Sequence, residues 1–240
     1  MEGNFFRELV FGDRAAAQAD FDARYKTEIH SVVADIERSF STLLMTALKD
    51  DKLFPGPLYD SFALLNEAVS LLVSSLHLAR QGTRVEALAL LRVAVEAACV
   101  AIHLVRDADA YKKYADRSGK TYDSARAVSF AKPLIHRVGE FWGAMSQAAI
   151  HPNKHAFGPR TEGIRIGKKR PDPKSESLTL ILISIAALMV LRAAEVALFR
   201  PDPENRMLLV LVGADMKMLA LADDLLRKRF EALDARSLAK

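Results

Sequence analysis

The stretch Leu88-Ala-Leu-Leu-Arg-Val-Ala-Val-Glu-Ala-Ala-Cys-Val-Ala-Ile-His-Leu104 is apolar on nearly every side when it is drawn as a helix. A helix of this kind is buried, because it leaves no continuous polar face for water. Four residues interrupt the apolar pattern: Arg92, Glu96, Cys99 and His103. At about 100° per residue, these four fall on one side of the helix. The stretch therefore predicts a central helix of an all-α bundle, with a polar stripe along one side.

Apolar residues at spacings of three and four predict about six to seven helices in the chain of 240 residues. The main helices are predicted over residues 13–50, 58–81, 83–107, 134–150, 177–200 and 204–236, with shorter helical pieces over 109–117 and up to about 132. Regularly alternating strand patterns are absent from the sequence. We expect one all-α domain over residues 1–240, with its core in residues 13–150 and 177–236.

Gly82 separates the second and third of these helices, which predicts an antiparallel hairpin. Because both helices rise about 1.5 Å per residue, residue n on one should lie level with about residue 164 − n on the other. At the start of the third helix, Thr83 and Glu86 have the spacing of a capping box. The sequence thus predicts both the register of the hairpin and the cap of its second helix.

Two central helices carry an arginine followed one turn later by a glutamate: Arg92 with Glu96, and Arg192 with Glu195. A charge in a core costs on the order of several kcal/mol unless it has a partner. We therefore expect partners on other helices, and the hairpin register makes Glu67 a candidate. The prediction is a buried Arg92 bonded to Glu96, to Glu67 or to both. Two interpretations stay open, a structural network that fixes helix register and a set of residues that lines a site.

The net charge of +4 is unevenly distributed. Residues 151–174, the basic segment, contain seven lysines and arginines against two acidic residues, which gives the segment +5 and leaves −1 for the rest of the chain. Its prolines and glycines exclude a long regular element, so an irregular loop is predicted over residues 151–175, with mobility over 151–176 left open. Such a segment suits RNA phosphates or an acidic partner.

Cys99 is the only cysteine and lies in an apolar run, which argues against a disulfide within the chain and against a zinc site built from cysteines. No secretory signal is recognised at the N-terminus. The apolar run 178–191 ends at Arg192, short of the roughly 20 residues of a membrane span. A cytoplasmic protein without a membrane partner is predicted. The long first and last helices offer surfaces for a homo-oligomer.

The stretch Ser146-Gln-Ala-Ala-Ile-His-Pro-Asn-Lys-His-Ala-Phe-Gly158 places His151 and His155 four residues apart, the spacing of many zinc-binding pairs. Pro152 disfavours a helix there and stands where zinc proteases have a glutamate, so no metal and no cofactor are predicted. As a metal-free pair, the imidazoles suit proton transfer in RNA cleavage. The phosphates would then be held by Lys154, Arg160, Lys168, Lys169 and Arg170. Alternatively, His151 only closes a helix and the loop is a solvated linker.

Two motifs, Leu90-Leu-Arg-Val-Ala-Val-Glu-Ala97 and Trp142-Gly-Ala-Met-Ser-Gln-Ala-Ala-Ile-His-Pro152, resemble those of a family of bacterial all-helical proteins without an assigned activity. That family carries Arg-x3-Glu on one helix and Ser-x4-His-Pro or Ser-x4-His-Gly at the end of another. The resemblance covers roughly residues 60–155. It implies a cluster that consists of Arg92, Glu96, Ser146 and His151.

More remotely, the architecture is similar to that of HEPN domains, helical bundles of bacterial defence and toxin systems, many of which are metal-independent RNases. Their signature is an arginine, then four to six residues, then a histidine. In this chain Ser146 stands at that distance before His151, and no arginine does. The similarity is therefore one of fold, which does not by itself imply function.

Two functions follow as hypotheses, and the sequence leaves open whether the protein is an enzyme. The first is an HEPN-like RNA-binding or metal-independent RNA-cleaving module of a bacterial defence or regulatory system. In it, His151 and His155 transfer protons and Arg92 and Glu96 orient them, with Ser146 beside the cluster. The second is a non-catalytic protein-interaction or regulatory bundle in which the Arg-Glu pairs are structural. A pocket in which Arg92 binds a small acidic ligand is a third idea.

Overall fold

The computed structural model describes residues 15–49, 56–116, 122–150, 173–198 and 216–238. Within these residues every regular element is helical, and the all-α prediction is confirmed. The described part of the chain holds nine α-helices and a five-residue π-helix, more than the six to seven helices predicted. The α-helices are α1 (Ala15–Arg24), α2 (Lys26–Lys49), α3 (Pro57–Arg80), α4 (Arg84–Arg106), α5 (Ala108–Ala115), α6 (Ser124–Ala131), α7 (Val138–Met145), α8 (Pro173–Leu198) and α9 (Met216–Leu238), and the π-helix is Ser146–Ile150.

The higher number of helices has local causes. The predicted first helix is divided at Tyr25, between α1 and α2. The predicted helix 134–150 begins only at Val138 and changes to a π-helix at Ser146. Arg137, just before α7, has a left-handed backbone with φ of 55°, which a continuous right-handed helix does not allow.

α8 lies at the centre of the bundle and contacts α2, α3, α4 and α9. From Thr179 to Ala197 every residue of α8 is buried except Ile181 and Arg192. Such burial follows from a sequence that is apolar on all sides. α4 is the second central helix, and it contacts α3, α5, α6, α7, α8 and the π-helix. The buried apolar residues form one hydrophobic cluster that extends from α1 to α9.

The hairpin of α3 and α4 has nearly the predicted register. Ser61 Oγ donates to the carbonyl of Ala101 at 2.8 Å, and Ser75 Oγ donates to the carbonyl of Ala87 at 3.0 Å. In each bonded pair the two residue numbers add to 162, two less than predicted. Gly82 makes the turn with φ of 76°, a left-handed conformation that glycine adopts without a steric cost.

The predicted capping box at the start of α4 is wrong. Thr83 precedes the helix, but its side chain makes no bond to the first turn. Thr83 Oγ1 donates instead to the carbonyl of Leu78, 2.9 Å away, at the end of α3. The hydroxyl proton is therefore used to close the preceding helix, where carbonyls lack partners within the helix.

The predicted loop 151–175 overlaps with α8, which begins at Pro173. Residues 173–175 are thus helical, and proline suits the first turn because its missing N–H would have no partner there. Residues 151–172 lie outside the described residues. So do 13–14 and 50 of the first predicted helix, 117 of the short piece 109–117, 199–200 of the helix 177–200, and 204–215 of the last, whose described part begins at Met216.

By length and hydropathy, α3, α4 and α8 are each long and apolar enough to cross a membrane. Arg192 does not end α8, which continues to Leu198. In the folded chain 89% of the most apolar window of α8 is buried, compared with 39% for α3. The exposed side of α3 includes Asn66 and Glu67, which suit water better than lipid. The cytoplasmic location and the absence of a membrane partner stay predictions.

A buried carboxylate links α2, α8 and α9. Asp35 in α2 is only 1% exposed, and its Oδ2 accepts from Ser184 Oγ of α8 and from Arg229 Nη2 of α9, the latter at 3.1 Å. Arg38 Nη1, one turn along α2, contacts Asp35 Oδ1. A buried carboxylate with this number of donors is compensated. Asp35 therefore fixes how three helices pack.

Candidate functional site

Three residues that the sequence proposed as a cluster meet where α4 passes α7 and the π-helix. Arg92 Nε donates to Ser146 Oγ at 2.9 Å, and Arg92 Nη2 lies 3.1 Å from Glu96 Oε2. Trp142 Nε1 donates to the same Glu96 oxygen at 3.1 Å. The Arg92 guanidinium also lies over the Trp142 ring, 5.0 Å from its centroid, within the range of a cation–π contact. We call Arg92, Glu96, Trp142 and Ser146 the Arg92 cluster.

The Arg92 cluster lies at the edge of the core rather than within it. The side chains of Arg92 and Glu96 are 22% and 20% exposed, so Arg92 is half-buried rather than buried as predicted, whereas its predicted bond to Glu96 is confirmed. Glu67 is exposed on α3 and is not one of the partners found for Arg92. Glu96 balances the charge of Arg92 within one helix, and Ser146 and Trp142 supply the expected contacts from other elements. The pair therefore carries little desolvation cost.

Ser146 uses its hydroxyl to hold the π-helix to the rest of the bundle. Its Oγ accepts from Arg92 and donates to the carbonyl of Trp142 at 2.9 Å. A serine nucleophile needs a neighbouring base to take its proton, and here the proton points at a carbonyl. π-helices occur frequently at functional sites. The geometry nevertheless gives Ser146 a positioning role and no activation.

The histidine part of the predicted site lies outside the described residues. His151 follows the last residue of the π-helix directly. The predicted proton-transfer and phosphate-binding residues that fall within 151–172, and whose roles stay predictions, are His151, His155, Lys154, Arg160, Lys168, Lys169 and Arg170.

Both flanks of the basic segment are attached to the bundle near α4. At its start, Ser146 bonds to Arg92. At its end, Arg84 in the first turn of α4 donates to Ser175, and Tyr25 Oη donates to the carbonyl of Pro173 at 3.0 Å. Arg84 and Arg92 are eight residues apart, or about 12 Å along the helix axis. The two ends of the basic segment are therefore held on the same helix.

The polar stripe of α4 continues to Cys99 and His103, but these residues face different surroundings. Cys99 is fully buried, and burial raises the pKa of its thiol to about 12. Such a thiol stays protonated at neutral pH and is a poor nucleophile. Cys99 is therefore a core residue that separates the Arg92 end of the stripe from the His103 end.

His103 bridges two elements that the sequence did not connect. It is 2% exposed, its ring stacks on Phe130 with a centroid distance of 4.6 Å, and its Nε2 lies 3.3 Å from Asp107 Oδ2. Its Nδ1 is hydrogen-bonded to the hydroxyl of Tyr122. The spacing of His103 and Asp107 within a helix was visible in the sequence. Tyr122 lies beyond the ends of both α4 and α5, and no sequence pattern predicted its contact with His103.

Burial determines the protonation of this group. It lowers the pKa of His103, against the weaker effect of Asp107, so the ring is neutral at pH 7. Hydrogen bonds from the backbone N–H groups of Ala110 and Asp109 hold the pKa of Asp107 below its usual value. Burial also raises the pKa of Tyr122. The charge pattern at neutral pH is therefore a carboxylate, a neutral imidazole and a neutral phenol.

A cavity of about 300 Å³ adjoins this group at the end of α4. We call it the His103 cavity, and its lining residues are His103, Asp107, Asp109, Ala110, Lys113, Asp116, Tyr122, Asp123 and Arg126. Sequence reasoning named only His103 among them, as part of the stripe. Within the residues that the structure describes, no group of three or more histidine, cysteine, aspartate or glutamate residues is placed to hold a metal ion.

The second Arg-Glu pair lies on α8. Arg192 Nη1 is 3.0 Å from Glu195 Oε2, and Arg192 Nε is 3.4 Å from the carbonyl of Leu134, before α7. Glu195 is 6% exposed, and burial raises its pKa to about 7 although Arg192 acts in the opposite direction. The pair therefore connects α8 to the segment before α7 and includes a carboxyl group that titrates near neutral pH.

The fold and these sites define an all-helical bundle protein with a polar stripe on one central helix. No family model, no curated protein and no solved structure matches the chain. The resemblances drawn from the sequence motifs, including the one to HEPN domains, accordingly stay predictions.

Proposed function

We propose that this protein is an RNA-binding helical bundle that presents the basic segment from one side of α4. The observation that carries the proposal is the attachment of both flanks of this segment to α4, through Ser146 and Arg92 at one end and through Ser175 and Arg84 at the other. The two flanks are therefore held about 12 Å apart along one helix, and the chain between them carries the charge excess of +5.

Single-stranded RNA is a polyanion and binds where positive charge is concentrated on a protein. Each phosphate that is neutralised by a lysine or arginine releases counterions, and this release supplies affinity without base contacts. The excess of +5 lies in the basic segment, whereas the rest of the chain carries −1. The Arg92 cluster then has a structural role and holds the start of the basic segment against α4, because Glu96 already balances the charge of Arg92.

Cleavage of the bound RNA by His151 and His155 is a further step of the same proposal. One imidazole would take the proton of the attacking hydroxyl and the other would protonate the leaving oxygen. The alternative is a bundle that binds an acidic protein, and the hydroxyl proton of Ser146, which points at the Trp142 carbonyl, suits this purely structural use of the cluster.

The test is the salt dependence of RNA affinity. Fluorescence anisotropy with a labelled single-stranded RNA at several salt concentrations should give a negative slope of log K against log salt, of about −0.7 per phosphate contact. A triple variant with Lys168, Lys169 and Arg170 changed to Gln should bind more weakly and flatten the slope by about 2.

The matched control removes the same charge elsewhere. Lys26, Lys112 and Lys132 are exposed in the described part of the chain, and their change to Gln should leave the salt slope near that of the unchanged protein. Equal losses in both triple variants would contradict a specific role of the basic segment. Electrophoresis of the same RNA with the His151→Ala variant separates binding from cleavage.

A further inference from the structure

The wall of the His103 cavity presents a fixed hydrogen-bond acceptor. Nε2 of the neutral His103 ring faces the Asp107 carboxylate and carries the proton, so Nδ1 accepts from the Tyr122 hydroxyl. The phenol uses its only proton in this bond and retains its lone pairs. Tyr114 packs edge-on against the Tyr122 ring at 5.7 Å. The Tyr122 oxygen is therefore held in place as an acceptor.

The charges around the cavity favour a cation. Its lining carries four aspartates against Lys113 and Arg126, with His103 neutral, and one of the four, Asp109, is paired with Lys112 at 3.2 Å. Asp107 and Asp123 each accept backbone N–H groups at the start of a helix, which fixes the direction of their carboxylates. The ring of Tyr122 adds an aromatic surface beside these oxygens. A ligand with N–H donors and a short apolar chain fits such walls.

We propose that the His103 cavity binds a small primary amine, with its ammonium group held between the Tyr122 oxygen and the aspartate carboxylates. A volume of about 300 Å³ lies at the lower end of the range for ligand pockets, roughly 300–1,000 Å³, and so limits the ligand to a short chain. The cavity and the oriented Tyr122 define the site, and the carboxylates select the charge. The proposal is independent of RNA binding.

The arrangement also gives the site a pH dependence of known sign. Protonated His103 would donate from both nitrogens, so the Tyr122 oxygen would accept from Nδ1 and its own proton would point into the cavity. The titratable groups that face His103 are Asp107, Tyr122, Lys113 and Arg126. Because burial holds the pKa of His103 below 6.5, amine affinity should be constant from pH 7 to 8 and should fall as the pH drops below 6.5.

The experiment is isothermal titration calorimetry of the full chain with three probes of equal chain length. The probes are n-butylamine, butan-1-ol and butyrate, which each contain four carbons and carry an ammonium, a hydroxyl and a carboxylate head group. At pH 7.5 the amine should bind, and the alcohol and the acid should not. Tyr122→Phe should lower amine affinity at least tenfold, because it removes the acceptor and keeps the ring.

Tyr59→Phe is the matched control, since Tyr59 is 45% exposed on α3 and is not among the residues that line the cavity. Circular dichroism of both variants checks that they fold. The proposal is overturned if butyrate binds instead, which would assign the cavity to anions through Lys113 and Arg126. It is also overturned if the amine gives no heat at pH 7.5, or if both variants bind the amine equally.

Discussion

Glu195→Gln should make the stability of the protein less dependent on pH. Glu195 is buried in α8 and has a pKa of about 7 in the folded protein, compared with an ordinary value of 4.5. The folded state therefore holds this proton more tightly than the unfolded state. Glutamine has the same shape and retains an oxygen that can accept from Arg192, but it does not ionise.

The sign and size of the effect follow from linkage. A carboxyl group whose folded pKa is raised favours the folded state below pH 4.5 and loses that stability as the pH rises from 4.5 to about 7. At about 1.36 kcal/mol per pKa unit, ionised Glu195 destabilises the protein by roughly 3 kcal/mol at pH 8. The attraction of Arg192 is already contained in this figure, because it contributes to the pKa.

The assay is urea unfolding followed by circular dichroism, for both proteins at pH 5, 6, 7 and 8. The difference in unfolding free energy should rise in favour of Glu195→Gln by about 2–3 kcal/mol between pH 5 and pH 8. A constant cost of burying the amide N–H groups would shift all points equally and leave this rise unchanged. Glu86→Gln, at an exposed position of α4, is the control. A difference that stays flat across the pH series would refute a buried, neutral Glu195.

Three further predictions concern other described residues. Asp35→Ala should cost about 1–3 kcal/mol in urea unfolding, because it leaves the buried Ser184 hydroxyl without its acceptor and removes the partner of Arg229; a cost near zero would mean that the network is dispensable. Arg92→Ala should cost about 1–2 kcal/mol, because it removes the bond to Ser146 and the contact with Trp142. Full stability of this variant in the same assay would contradict the structural role of the Arg92 cluster. Cys99, fully buried, should resist a thiol reagent in the native protein and react in urea, and rapid native labelling would exclude its place in the core.

The apolar periodicity was sufficient to predict an all-α fold, because a helix that is buried on all sides has a sequence that is apolar on all sides. The apolar sequence of α8 predicted its central position. Because α3 and α4 both rise by about 1.5 Å per residue, their register in the hairpin was predicted to within two residues. The break at Tyr25 and the π-helix at Ser146 were not predicted, because the apolar periodicity does not register the polar contacts made there, Tyr25 with Pro173 and Ser146 with Arg92.

The candidate sites show the same limit. Arg92, Glu96 and Ser146 were paired through short motifs, and their meeting in space needed only that two helices pass each other. The His103 cavity was not predicted, because its defining contact joins residues 19 positions apart across helix α5, with Tyr122 just before α6. Whether a histidine belongs to the core or to a site depends on the side chains that other elements bring to it. The sequence of its own helix does not specify those side chains.

The Arg92 cluster and the His103 cavity lie at different places along α4, so we expect the two proposed functions to be independent. Arg92 and His103 are eleven residues apart on α4, or about 16 Å along the axis, with the buried Cys99 between them. Charges at that distance are largely screened at physiological ionic strength, where the Debye length is about 8 Å. Tyr122→Phe should therefore leave RNA affinity unchanged, and the triple change of Lys168, Lys169 and Arg170 to Gln should leave amine binding unchanged. If either variant altered the other function, the two ends of α4 would have to share a conformational change rather than a field.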